Sequence, residues 1–181
     1  NLLKRRFRLF EPNEVRLTDV TYLDYGNGKR AYGSASKDPV TGRLIDYTIS
    51  ESNDLNLVMM TLDHISKQPL LPGAILHSDQ GALYLTDTFQ NKVKETGMKE
   101  SMSKRGNCWD NAPQESFFGH MKSELKVRSN KWQSFSDAQA DIDDWMDYYN
   151  NDRYKTGLGR LSPNEFYKYI TTGEYPPMML R

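Results

Sequence analysis

Residues 15–25, VRLTDVTYLDY, alternate β-branched and aromatic positions with polar ones. This is the two-residue period of a strand with one buried face. A GNG turn signal follows, then KRAYGSASKD (29–38) and RLIDYTISES (43–52), read as two more strands joined by the DPVTG turn. The period then changes. In DLNLVMMTLDHIS (54–66), Leu55, Val58, Met59, Leu62 and Ile65 recur at helical spacing, with Asn53 or Asp54 placed to cap the helix. GAILHSD (73–79) is apolar but too short for a helix and reads as a buried strand. TDTFQNKVKETG (86–97) reads as a short helix ended by Gly97, and MKESMS (98–103) as a fifth strand.

The second half is helical. A helix is expected over 112–127, opened by Asp110 or Asn111 with Pro113, and Phe117, Met121 and Leu125 form its apolar stripe. SFSDAQADIDDWMDYYNND (134–152) places Phe135, Ala138, Ile142, Trp145, Met146 and Tyr149 on one face, so its acidic run reads as the solvated face of a helix. LSPNEFYKYI gives a further Ser-Pro helix start, and GEYPPMMLR is irregular. Three antiparallel strands, a crossover helix, further strands and more helices specify an α/β protein with a mixed sheet flanked by helices.

Composition narrows this picture only a little. At 181 residues with 37% apolar and 27% charged positions, the chain is large enough to bury a sizeable core. No apolar run is long enough to cross a membrane, and NLLKRRFRLF is not a signal peptide. The sequence does not begin with Met, so a fragment of something longer is expected. A single cysteine, Cys108, excludes an internal disulfide and fits a reducing cytoplasm. Net charge is zero, but Lys4, Arg5, Arg6 and Arg8 cluster without an acid. Such a cluster suits either a nucleic-acid-binding arm or a solvated terminus.

Three acids interrupt apolar surroundings: Asp19 within RLTDVTYL, Asp79 at the end of AILHSD, and Glu115 in the first turn of the 112–127 helix. Singly, they fit a half-exposed strand, a turn and a helix-dipole charge. If the sheet gathers them, their repulsion calls for a counter-charge. All-oxygen ligands select Mg²⁺ or Mn²⁺ over zinc, and two such ions about 3.5–4 Å apart clamp a phosphodiester for in-line attack. At about 100° per residue, Gly119, Lys122 and Lys126 fall within roughly 40° of Glu115. They form either a phosphate-holding face beside a metal or an ordinary exposed face. No His pairs with Cys108 at zinc-ligand spacing.

The stretches TDVTY, HSDQG and SMSKRGNCWDNAPQESFFGHMKSEL resemble the three catalytic blocks of DDE transposases with a retroviral-integrase-type core. The nearest resemblance is to the frameshifting bacterial insertion-sequence group, the IS-three group. Asp79 and Glu115 are separated by 35 intervening residues, the spacing of that family's motif. YYNNDR, GLGRLSP and FYKY resemble its C-terminal segment. The resemblance implies a ribonuclease-H-like fold, with a five-stranded mixed sheet and a C-terminal helical extension. It implies catalytic, metal-ligating Asp19, Asp79 and Glu115, with Lys122 as the basic residue seven positions beyond the Glu. Water would free a 3′-hydroxyl at an element end, and that hydroxyl would attack a second phosphodiester with no covalent enzyme intermediate.

The implied layout is a basic linker over 1–12, a catalytic core over 13–130 and the extension over 131–181. A helix-turn-helix DNA-binding region would lie upstream, and self-association would accompany action on DNA in a bacterial cytoplasm at the nucleoid. Ser103, Lys104 and Arg105, on the approach to Glu115, are further candidates for DNA contact, with Asn111, Lys122 and Lys126. Asn111 either bonds to a phosphate or, by preference, caps the helix, and Trp109 either stacks on a base or pins the loop. Gly106 would let that loop move. The chain departs from the family in reading EVRLTD where a Trp often precedes the first Asp, in having Gln80 where many members have Arg, and in two unusually polar strands. A metal-dependent nuclease of the same fold and a non-catalytic DNA-binding or assembly module are the alternatives.

Overall fold

The computed structural model describes residues 1–7, 10–26, 28–104 and 108–176, with the side chain of Cys108 excepted. Five strands form one sheet in the order β3-β2-β1-β4-β5. β1 (Val15–Tyr25), β2 (Lys29–Lys37) and β3 (Leu44–Ser50) make an antiparallel meander. α1 (Leu55–Ser66) then crosses to β4 (Ile75–Ser78), which runs parallel to β1, and α2 (Asp87–Glu95) leads to β5 (Lys99–Met102), parallel to β4. A 3-10 turn over Cys108–Asn111 opens α3 (Ala112–Ser129), followed by α4 (Phe135–Asn151) and α5 (Pro163–Thr172). The strands and helices read from hydrophobic period are all present, within a few residues at their ends.

Each face of the sheet carries its own core. On one, Val58, Leu62 and Ile65 of α1 and Phe89 and Val93 of α2 pack on Leu76. On the other, Phe117, Phe118, Met121 and Leu125 of α3 and Ile142, Trp145, Met146 and Tyr149 of α4 pack on Leu23, Ala31 and Ala35. Small residues on β2 let these aromatics approach. A Cβ added at Gly33, on the same face as Ala31 and Ala35, would lie 3.2 Å from Ile49 Cδ1. Phe117 meets Tyr149 edge-on at 4.7 Å between ring centroids, in the favoured aromatic geometry.

Helix starts follow local chemistry. Asp54, rather than Asn53, caps α1 by accepting from Leu57 N, and Ser134 and Ser162 head capping boxes with Asp137 and Glu165. The acidic face of α4 is therefore not merely solvated. Besides Asp137 in its cap, Asp141 accepts from Trp132 Nε1 at 2.7 Å and Asp143 from the Tyr47 hydroxyl at 2.7 Å. The N-terminal residues lie against the sheet, with Leu3 fully buried beside Val15 and Leu17.

Candidate active site

The parallel register pairs Val15 with Ile75, Arg16 with Leu76 and Leu17 with His77. Continued two residues along each chain, it brings Asp19 level with Asp79, just past the end of β4. Side chains alternate along a strand, so Asp19 shares the face of Leu17, and α3 packs over that face of β1. The first turn of α3 carries Glu115.

Asp19 feels its burial and the other two charges. Burial above all, then the negative charges of Asp79 and Glu115, push the Asp19 carboxyl up to about 7, opposed by the Val20 N–H and by Lys122. Asp19 Oδ1 accepts from Val20 N at 2.8 Å, and Asp79 Oδ1 accepts from Gly81 N at 2.8 Å. Glu115 is exposed. Two bonds, the second fully buried, hold its helical turn to β2: Lys37 Nζ donates to Pro113 O at 3.0 Å, and Gln114 Nε2 to Ala35 O at 3.1 Å.

The turn before α3 is fastened from below. The buried ring of His77 bonds through Nδ1 to Ser101 Oγ (2.9 Å) and through Nε2 to Ser103 Oγ (3.2 Å) and Asp110 O (3.0 Å). Burial pushes its pKa down to about 4, so the imidazole is neutral. Asp110 accepts from Arg5 Nε at 2.8 Å and from Lys104 N at 3.0 Å, and Arg5 above all pulls its carboxyl down to about 2. Gln80 Nε2 donates to Ser103 O at 3.1 Å.

Three expectations need correction. Ser103 is buried with its hydroxyl bonded to His77, so it is not a surface contact for DNA. Asn111 stands at the N-cap position of α3 but makes no cap bond, and it is buried with Nδ2 turned to Asp19 Oδ2 at 3.5 Å. It is neither a cap nor an exposed phosphate contact. Trp109 is 68% exposed, against the burial expected of a loop anchor. Lys104, Lys122 and Lys126 are exposed, and Lys122 Nζ lies 4.6 Å from the Tyr22 ring centroid. Arg8, Arg105, Gly106 and the Cys108 side chain lie outside the described residues.

Lys37, Gln114 and Asp110 were not singled out for these roles. Their partners are distant in sequence, and no local period marks such pairs.

Among the described residues, no group of three or more His, Cys, Asp or Glu side chains is gathered closely enough to hold one metal ion. The chemistry of the donors nevertheless fits a hard divalent cation. The three acids offer only oxygen, the nearby His77 is committed on both nitrogens, and the Asp19 carboxyl, raised first by burial and then by the charges of Asp79 and Glu115, is one that a cation would return to its charged form. No helix among the described residues is long and apolar enough to cross a membrane.

Two family models, each described as "Integrase core domain", match residues 11–108 and 96–163. The chain is 39% identical over 168 residues to a protein of Escherichia coli (strain K12) named as the InsK transposase of insertion sequence element IS150, covering 92% of this chain and 58% of that one. It is 36% identical to a transposase-like protein of Haemophilus influenzae, covering 90% and 74%, and 32% identical to the IS904 transposase of Lactococcus lactis, covering 93% and 67%. The chain thus spans little more than half the length of the first of these.

Among solved structures, it superposes on the catalytic core domain of BIV integrase with a TM-score of 0.65 at 17% identity, covering 90% of this chain and 99% of that one. It superposes on the HTLV-2 integrase catalytic core domain in complex with magnesium with a TM-score of 0.63 at 17% identity, covering 81% and 92%. The fold is that of the retroviral integrase core, ribonuclease-H-like.

Proposed function

Since the chain belongs to the integrase core domain family, we propose that it is the catalytic part of an insertion-sequence transposase that cleaves and joins DNA strands by phosphoryl transfer at Asp19, Asp79 and Glu115. The observation that carries this reading is the parallel register of β1 and β4, which brings Asp19 level with Asp79, beside the helix turn that bears Glu115 and is bonded to the adjoining β2. Burial above all, then the charges of Asp79 and Glu115, raise the Asp19 carboxyl, and a carboxylate perturbed in this way is a sign of a functional site. The three acids come from the three segments that resemble catalytic blocks.

Asp19, Asp79 and Glu115 would hold Mg²⁺ or Mn²⁺, in two sites. The bound cation supplies activation of the attacking oxygen and neutralises charge at phosphorus. The protein's own contribution is placement. Asp19 sits in β1, Asp79 follows directly on the parallel neighbour β4, and Glu115 sits on a helix turn bonded to β2. Lys122 and Lys126 hold backbone phosphates beside the carboxylates, Lys104 meets the strand where it enters, and Trp109 offers an exposed indole for a base. In the first step water attacks phosphorus in line and the bond to the 3′-oxygen breaks, leaving a 3′-hydroxyl. In the second that hydroxyl attacks another phosphodiester and gives up its proton, while the displaced 3′-oxygen takes up a proton and leaves as a new 3′-hydroxyl. Joining two ends requires self-association in the active complex.

The test is Mg²⁺- or Mn²⁺-dependent nicking and joining of an end-containing oligonucleotide by the full-length protein. Asp19→Asn, Asp79→Asn and Glu115→Gln are each expected to lose at least about 1,000-fold in rate with folding retained. Equal rates for Asp79→Asn and wild type would overturn the assignment. Nicking without joining would identify a nuclease of this fold instead.

A further inference from the structure

We propose that Lys37 is a positioning residue whose buried amine fixes the first turn of α3 and thereby the place of Glu115 relative to Asp19 and Asp79. The inference rests on the site assigned above.

Lys37 ends β2 opposite Leu17 and is 6% exposed. Its amine donates to Pro113 O at 3.0 Å and lies 5.6 and 5.9 Å from the ring centroids of Phe117 and Tyr149. The neighbouring Asp38 does not pair with it. That carboxylate accepts instead from Arg16, from Asn13 N, and from Val40 N and Thr41 N. Burial above all, then the nearby cations Lys155 and Arg153, push the Lys37 amine down to about 7. A buried ammonium bonded to a carbonyl and repelled by like charges is a poor source of stability. A Met of similar length would fill the space between the two rings without that desolvation cost.

What a Met cannot do is hold a carbonyl of the turn. Residues 113 and 114 are bonded to positions 37 and 35 of one strand, two residues apart, which fixes both the height and the rotation of the turn. Glu115 is the next residue. Releasing the Pro113 bond leaves Gln114 to Ala35 as the bond described between this turn and β2, so the position of Glu115 is less closely fixed, and displacements of about 1 Å at a reacting site cost on the order of 100-fold in rate.

The experiment compares wild type, Lys37→Met, Lys37→Arg and Glu115→Gln by thermal unfolding, by titration of the metal-free protein with Tb³⁺ followed by sensitised luminescence, and by nicking kinetics. For Lys37→Met the expected result is a melting temperature no lower than wild type. Half-saturation by Tb³⁺ rises fivefold or more, and kcat falls tenfold or more with KM for DNA within twofold. Lys37→Arg, which keeps a donor, stays within twofold on Tb³⁺. Unchanged Tb³⁺ half-saturation in Lys37→Met, with Glu115→Gln weakened, would overturn the role of Lys37 alone. Unchanged binding in Glu115→Gln as well would overturn the site beneath it. If Lys37→Met does not fold, Lys37→Gln is judged by the same limits.

Discussion

Asn111 occupies the N-cap position of α3 but turns its Nδ2 to Asp19 Oδ2, 3.5 Å away, and leaves the helix start uncapped by any side chain. Its Oδ1 is buried without a hydrogen-bond partner among the described residues. A side-chain cap contributes about 1 kcal/mol, so the chain forgoes stability at the point where the helix meets the carboxylates. Asn111→Ser should restore a cap and raise stability by about 0.5–1 kcal/mol, while releasing the Asp19 carboxylate and slowing DNA nicking about tenfold. Chemical unfolding and single-turnover nicking measure the two effects. A variant both more stable and fully active would show that the contact with Asp19 does nothing.

Gly81 constrains Asp79 by what it lacks. Its N–H donates to Asp79 Oδ1, and a Cβ at Gly81 would lie 2.9 Å from that same oxygen. Gly81→Ala therefore pushes the carboxylate aside without demanding an unusual backbone. Nicking should fall tenfold or more, while unfolding free energy changes by less than about 1 kcal/mol. Retained activity would mean that Asp79 is not required in this position.

Asp110 links the N-terminal residues to the turn before α3, and its depressed carboxyl makes that link sensitive to acid. The folded value, about 2, lies below the ordinary 3.8. The stabilisation is thus fully present above pH 4 and is lost as pH falls from about 4 through 2. Because Arg5 is half exposed, solvent screening reduces the effect to on the order of 1 kcal/mol. Asp110→Asn should lower stability at pH 7 by that amount and flatten this part of the acid limb. Equilibrium unfolding across pH 2–7 for both proteins gives the comparison.

The sheet and helices were legible because they carry periods. Val15, Leu17, Leu23 and Tyr25, at even spacings, mark β1 as a strand, and Phe117, Met121 and Leu125 mark the buried stripe of α3. Asp19, Asp79 and Glu115 stood out as charges interrupting those periods. The segment between β5 and α3 has no period, so its burial could not be read. Ser103 looked accessible and is buried under His77, whereas Trp109 looked like an anchor and is exposed. Asp110 bonds to Arg5, 105 residues earlier, and Lys37 bonds to Pro113, 76 residues later. Pairings of this kind exist only once the sheet is assembled.

Exposure of Trp109 separates two ways of holding DNA near the carboxylates. The indole is solvent-facing, yet its turn is fixed by the bonds of Asp110 to Arg5, Lys104 and His77, so little ordering entropy remains to be lost on stacking. Lys122 acts instead through charge, over the ring of Tyr22. Trp109→Ala should weaken binding of an end-containing DNA by about 1–3 kcal/mol at every salt concentration, with an unchanged salt slope and melting temperature. Lys122→Ala should weaken binding most at low salt and reduce the slope of log K against log salt by about 1. Fluorescence-anisotropy titrations at four or more salt concentrations distinguish the two. A Trp109→Ala variant that binds DNA normally but melts several degrees lower would return that residue to the role of a loop anchor.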